Sequence, residues 1–264
     1  MSDLHITLIQ SDIFWEDPVK NIGHFGKLIN AVHDPVDLII LPEMFNTGFS
    51  INPLQCAEAM DGPTLSFLKE MAIRKKCMIT GSLLIQDKNK YFNRMVVCYQ
   101  DGSVNQYDKR HLFRLSEEDK IVTPGTEKII VTRNGWKIIP LICYDLRFPV
   151  WSKNHWISDE YEYDLLIYLA NWPRSRIHLW KPLLVARAIE NQCYVVGVNR
   201  IGKDGHGRAH SGDSMVIGPE GEILASVEPE KAAVVNTTLS MKKLIDFRQK
   251  YPFAPDWDLF TIHN

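Results

Sequence analysis

Three side chains of complementary chemistry each stand just past a strand-like run. Glu43 follows DLIIL, Lys109 follows SVNQYD and Cys143 follows WKIIPLI. A thiol attacks a carbonyl carbon, a carboxylate takes the thiol proton and returns it to the leaving group, and an ammonium holds the oxyanion. Sites in layered α/β proteins lie beyond the carboxyl ends of strands, so the three residues are placed to converge. Each has a plainer explanation alone: Cys143 as a core thiol, Glu43 as a cap on the next segment, Lys109 as part of a solvated patch with Asp108, Arg110 and His111. The joint reading as a covalent site needs three coincidences of type and placement, and it is favoured for that reason.

The stretch GWKIIPLICYDLRFPVW carries the nucleophile of this reading. Its apolar run stops at Cys143, a polar turn follows, and Pro149 suits the first turn of a helix. Strand, turn and helix together predict a thiol beside free backbone N–H groups and a positive helix end. That setting is expected to lower the thiol pKa from about 8.5 towards neutrality.

The elements that must position these residues alternate. Strands are predicted over 4–10, 37–41, 78–85, 91–99, 103–107, 128–132, 136–142, 164–169, 193–198, 214–217, 222–227 and 232–239. Helices are predicted over 17–32, 64–76, 179–190 and 241–249. In the first helix Val19, Ile22, Phe25, Leu28, Ile29 and Val32 recur at helical spacing. Strand–helix–strand units echo one another on either side of a central hairpin, which indicates a layered α/β sandwich. Residues 1–250 are read as one domain and 251–264 as an extended, aromatic arm, folded back on its own domain or packed on a neighbouring subunit.

Composition narrows the class. Lys and Arg number 30 against 32 Asp and Glu, which advertises neither nucleic acid nor an anionic membrane as a partner. No apolar run approaches the ~20 residues of a membrane helix, and MSDLHITLIQ lacks the pattern of a signal peptide. Five cysteines without a C-x-x-C pair or zinc spacing argue against a disulfide scaffold or structural metal and for a reduced, cytoplasmic protein. Cys98 and Cys193 fall in strand runs and read as packing residues.

The segments LPEMFNTGF, YDKRHLF and ICYDLRFPVW, followed by NWP and GDSMVIGPEGEI, appear in the order of the nitrilase superfamily of carbon–nitrogen hydrolases. The chain resembles that family from Leu4 to the strand before Met241. The resemblance implies a four-layer αββα sandwich that pairs into a homodimer or higher homo-oligomer, with no cofactor and no metal. It implies Glu43 as general base, Lys109 as oxyanion donor and Cys143 as nucleophile, with the Tyr144 N–H as a second donor. A further glutamate is expected after the lysine. The SEED segment offers Glu117 and Glu118, and spacing in the related subgroup favours Glu118, although this loop lacks the usual histidine.

True nitrilases carry Cys-Trp-Glu where this chain has Cys143-Tyr144-Asp145. The resemblance is to the omega-amidase branch, whose small-molecule substrates are amides such as 2-oxoglutaramate and 2-oxosuccinamate. A substrate carboxylate calls for a guanidinium fork. Arg174, just after NWP, is one candidate, with Arg114 and Arg208 as others; Arg147 is left out, as a residue that pairs with nearby carboxylates and fixes the helix start. Phe113 and Trp172 are candidates for the pocket wall. The rival readings are another amidase, an N-carbamoyl amino acid hydrolase of the same superfamily, and a non-catalytic scaffold on this fold.

Overall fold

The computed structural model describes residues 2–33 and 35–262. The first residue of the predicted domain, residue 34 after the first helix, and the last two residues of the arm lie outside the described residues. The first half of the chain forms β1 (Leu4–Gln10), β2 (Leu38–Ile40), β3 (Met78–Asp87), β4 (Lys90–Cys98) and β5 (Val104–Asp108). The second half forms β6 (Val131–Arg133), β7 (Trp136–Ile142), β8 (Leu165–Ala170), β9 (Tyr194–Asn199), β10 (Met215–Ile217), β11 (Ile223–Ser226) and β12 (Ala233–Leu239).

Alternation along the strands explains why two sheets stack. In β1, Leu4, Ile6 and Leu8 join one apolar cluster and Ile9 another; in β2, Leu38 and Ile40 part from Ile39 in the same way. Successive side chains of a strand point to opposite faces, and a strand buried on both faces needs apolar residues throughout. One face meets Ile138, Ile142, Leu165 and Ile167 of the other sheet. The opposite face is covered by helices α1 (Pro18–Asn30) and α2 (Pro63–Lys75) through Phe25, Ile29, Leu65 and Leu68. Helices α3 (Ile177–Asn191) and α4 (Met241–Lys250) cover the second sheet with Trp180, Leu184, Met241 and Leu244. The layers are therefore αββα.

Each sheet has six strands, ordered β12-β1-β2-β3-β4-β5 and β6-β7-β8-β9-β10-β11. The two orders are equivalent. Three parallel strands stand together in each, flanked by one antiparallel strand on one side and a two-strand meander on the other. The carboxyl ends of β2 and β8, the middle parallel strands, thus occupy matching places in the two halves.

Three features differ from the sequence reading. Cys143–Arg147 is a single 3₁₀ turn, and the helix that begins at Pro149 ends at Ser152. The glycine-rich loop contains a small hairpin, Ile201–Lys203 against Ala209–Ser211. Val19 is 80% exposed and takes no part in the buried stripe of α1. The arm folds back on its own chain: Lys153 Nζ lies 3.5 Å from the Trp257 ring centroid, Trp257 meets Tyr161 edge-on, and Phe260 packs on His155.

Candidate active site

Glu43 lies two residues beyond Leu41, which follows β2 and whose N–H bonds Thr80 O at 2.9 Å. The chain then bends at Met44, which adopts a left-handed φ of 44°. That conformation is uncommon outside glycine and persists where its surroundings hold it. Here the Met44 N–H donates to Ser82 Oγ at 2.9 Å and the Met44 carbonyl accepts from the Gly48 N–H at 2.8 Å. The bend leaves the Glu43 carboxylate inside the protein, fully buried.

Lys109 follows β5 and is held by its backbone, its N–H on Asn93 O at 3.0 Å and its carbonyl on the Gly125 N–H at 2.9 Å. A side chain at position 125 would put a Cβ 2.1 Å from Asp108 O, so this close approach requires glycine. The Lys109 ammonium donates to Glu43 Oε1 at 3.0 Å and to both Glu118 oxygens at 3.0 and 3.1 Å. It also lies 5.0 Å from the Phe49 ring centroid, where the negative ring face favours it. Burial alone would lower the Lys109 pKa, but the Glu118 and Glu43 carboxylates outweigh burial and hold it above the ordinary lysine value. Burial raises the Glu118 pKa, and Glu43 adds to that while Lys109 opposes it.

Amide groups complete the cluster. Asn93 Nδ2 donates to Glu43 Oε1 at 2.8 Å and to Glu118 Oε1 at 3.3 Å, and Asn93 Oδ1 accepts from Ser82 Oγ. The Asn171 N–H donates to Glu43 Oε2 at 2.8 Å, and its side chain donates to the Glu43 carbonyl. The Phe113 N–H donates to Glu118 Oε2 at 2.6 Å. These bonds satisfy both carboxylates in a place where an unpaired charge would cost several kcal/mol.

Cys143 stands at the end of β7 with a left-handed φ of 41°. Asp145 fixes the turn. Its Oδ2 accepts from the Ile142 N–H and the Tyr107 hydroxyl, and its Oδ1 accepts from the His111 N–H, with His111 Nδ1 at 2.8 Å. Tyr107 and His111 flank Lys109 in sequence, so one buried carboxylate joins the cysteine turn to the lysine segment. Tyr144 is the second residue of the turn, where backbone N–H groups have no partner within it.

The expected lowering of the thiol pKa does not occur. Burial and the neighbouring Glu43 carboxylate push the Cys143 thiol well above its ordinary value, against opposing contributions from Lys109 and the Asn171 N–H. The cause is structural: the thiol is buried beside a carboxylate, and only one 3₁₀ turn and a four-residue helix follow it. At rest the thiol keeps its proton beside a base.

Cys143, Glu43 and Lys109 line a cleft of about 520 Å³, part of it open to solvent. Phe113, Tyr144, Asn171 and Trp172 are among its walls, and Arg147, Arg176, Asp204, Arg208 and His210 also line it. His210 is only 5% exposed, and burial together with Arg200 lowers its pKa from 6.5 to about 4. It is neutral at pH 7.

This buried histidine makes a stability prediction. Unfolding lets His210 bind a proton more readily, so its contribution is complete above pH 6.5 and is lost as pH falls towards 4. Between about pH 7 and pH 5 the protein should lose roughly 2 kcal/mol more stability than His210→Gln, as measured by urea denaturation. Equal losses in the two proteins would show that His210 titrates normally in the fold.

The model of the family described as carbon-nitrogen hydrolase matches residues 5–249. The chain belongs to the carbon-nitrogen hydrolase family. It is 42% identical over 262 residues to the omega-amidase YafV of Escherichia coli (strain K12), across 99% of this chain and 100% of that one. It is 31% identical over 254 residues to the 2-oxoglutaramate amidase of Bacillus subtilis (strain 168), across 95% and 96% of the two chains. Among solved structures, XC1258 of Xanthomonas campestris, a CN-hydrolase superfamily protein with an arsenic adduct in its active site, superposes with a TM-score of 0.97 at 41% identity, over 100% of both chains.

This carbon-nitrogen hydrolase brings together Glu43, Lys109, Cys143 and Glu118 and lines their cleft with Tyr144, Phe113 and Trp172. Glu117 points away and pairs with Lys120 at the surface. Arg174 is a correction. It begins a 3₁₀ turn facing outward, is 62% exposed and pairs with Glu230 at 2.5 Å, outside the cleft. Arg114 is 85% exposed and lies 4.0 Å from Asp119. Arg147 is the reverse correction: it has no carboxylate partner among the described residues and lies in the cleft, 4.8 Å from the Trp172 ring centroid.

Sequence reasoning also missed Asn93, Asn171, Asp145 and Arg176. Asn93 left a signal, a polar residue inside the strand run YFNRMVVC, where burial demands a partner. Asn171 left another, because it follows β8 as Glu43 follows β2.

Proposed function

We propose that this hydrolase cleaves the terminal amide of small 2-oxo dicarboxylic acid monoamides, 2-oxoglutaramate and 2-oxosuccinamate, to the 2-oxo acid and ammonia through a thioester on Cys143. The observation that carries the mechanism is the sharing of one buried ammonium, Lys109, by Glu43 and Glu118 beside a thiol that is protonated at rest. The names of the relatives in Escherichia coli and Bacillus subtilis support the choice of substrate.

In this scheme Glu43 takes the Cys143 proton as the sulfur attacks the amide carbon, so no free thiolate has to persist in a buried site. The oxyanion forms between the Lys109 ammonium and the Tyr144 N–H. Glu43 returns the proton to the nitrogen, the C–N bond breaks and ammonia leaves. Water then gives a proton to Glu43 and attacks the thioester carbon; the C–S bond breaks, the acid departs and the sulfur recovers its proton. Glu118 keeps Lys109 charged and in place through both halves.

The reading extends to a homodimer or larger homo-oligomer made by the 1–250 domain, with the 251–264 arm near the subunit contact, and to a cytoplasmic setting that keeps Cys143 reduced. Ammonia release from a panel of 2-oxo acid monoamides, simple aliphatic amides, nitriles and N-carbamoyl amino acids tests the substrate. Kcat/KM should favour the oxo-acid amides at least about tenfold, the effect of one hydrogen bond to a charged group. A preference for carbamoyl amino acids would replace this reading with the carbamoylase one.

A further inference from the structure

Three guanidinium groups, Arg147, Arg176 and Arg208, surround the mouth of the cleft that holds Cys143. They are not equivalent. Arg208 is tied down, its Nε 3.0 Å from Asp204 Oδ2, and is 46% exposed. Asp204 in turn accepts from the His206 and Arg208 N–H groups, so this carboxylate is fully engaged within its own loop. Arg147 and Arg176 have no ion-pair partner among the described residues. Each is only half-buried, and each is held over an aromatic ring, Arg147 4.8 Å from the Trp172 centroid and Arg176 4.9 Å from the Phe113 centroid.

Two unneutralised guanidinium groups in one cleft repel each other, and an anion bound between them would relieve that repulsion. Burial lowers the Arg176 pKa, and Arg147 and Arg208 add to the lowering, while Cys143 and Tyr144 oppose it. The cations are therefore within electrostatic reach of one another and of the reacting sulfur. His210 is neutral and adds no competing charge. A guanidinium resting on a ring face keeps its in-plane N–H edge available for bidentate bonds.

We infer that Arg147 and Arg176 jointly cradle the carboxylate and the adjacent 2-oxo oxygen of the substrate, fixing its far end while the amide lies against Cys143. The assignment rests on the amidase reading above and names the groups that select an anionic tail. Two forks for three oxygens also explain why one cation would not suffice: a carboxylate occupies one fork, and the neighbouring ketone oxygen takes an N–H of the other.

The test is calorimetric binding to Cys143→Ala protein, with 2-oxoglutarate as the anionic probe and butyramide as the neutral one. Adding Arg147→Gln or Arg176→Gln should weaken 2-oxoglutarate binding about 10- to 100-fold each, with butyramide binding unchanged. Adding Arg208→Gln should change it less than about threefold, since that charge is already paired and exposed. Arg147→Lys and Arg176→Lys keep the charge without the fork and should recover only part of the loss; if Arg147→Gln does not fold, Arg176→Gln decides alone. Unchanged 2-oxoglutarate affinity, or equal losses for both probes, would overturn the cradle. Turnover by the unmodified enzyme separates the two claims: no activity on 2-oxoglutaramate together with arginine-dependent binding sinks the amidase reading and leaves the cradle standing.

Discussion

Lys109→Met should lose at least about 10³ in kcat/KM and about 3–5 kcal/mol of stability, the largest combined effect of any single replacement. The ammonium is the only cation bonded to either Glu43 or Glu118 among the described residues, and both carboxylates are fully buried. Methionine fills a similar volume but leaves two carboxylates facing each other in a dry site. One of them must then hold a proton at neutral pH, because like charges at this range cannot both ionise. If Glu43 takes it, the carboxylate that serves as base in the proposed scheme is lost along with the ammonium. The sign of the pH dependence follows. A carboxyl whose pKa is raised by folding stabilises the fold fully below its unfolded pKa, about 4.3, and that stability is lost as pH rises through the folded value. The deficit of Lys109→Met relative to the unmodified protein should therefore be smallest near about pH 4 and grow towards pH 7. Urea denaturation at several pH values measures it. A deficit independent of pH would mean that neither carboxyl gains a proton and that Lys109 is not their shared counterion.

Cys143→Ala should reduce turnover by about 10⁴-fold or more, with a stability change within about 1 kcal/mol. The residual rate would come from binding and from the oxyanion donors acting on a water molecule. The unmodified enzyme, quenched in acid during turnover, should show the Cys143 peptide heavier by the acyl group left after ammonia departs. A full rate in a folded Cys143→Ala protein would remove the covalent scheme, and a quenched peptide of unmodified mass would place the slow step before the thioester. Backbone geometry adds an internal check. Alanine keeps the left-handed φ of 41° at this position, whereas glycine adopts it freely. Cys143→Gly should thus be at least as stable as Cys143→Ala, a reversal of the usual order.

The strand ends bearing Glu43, Lys109 and Cys143 were legible because an apolar run that stops at a polar, chemically competent residue is a local pattern. Twofold repetition of the sheets was legible for the same reason, since it is written in strand and helix lengths. Direction was not. Arg174 and Arg176 are two residues apart in one 3₁₀ turn, and only the fold decides that the first meets Glu230 outside while the second meets Phe113 inside. Arg147 was misassigned because carboxylates nearby in sequence bond elsewhere: Asp145 is taken by Ile142, His111 and Tyr107. The thiol environment was misjudged because a helix of four residues after the turn looks, as sequence, like the start of a longer one. Proline at position 149 announces where a helix begins and says nothing of where it stops.

Glu43 comes from the first sheet and its two Asn171 donors from the second, and each residue stands at the matching end of a middle parallel strand. Neither half of the chain holds a complete set: one contributes the Glu43 carboxylate and the Lys109 ammonium, the other the Cys143 sulfur. Turnover consequently reports on the seam between the halves. Loosening the packing of one sheet on the other by a fraction of an ångström should silence the enzyme while each sheet still kept its own hydrogen bonds, so activity should fail before secondary structure does.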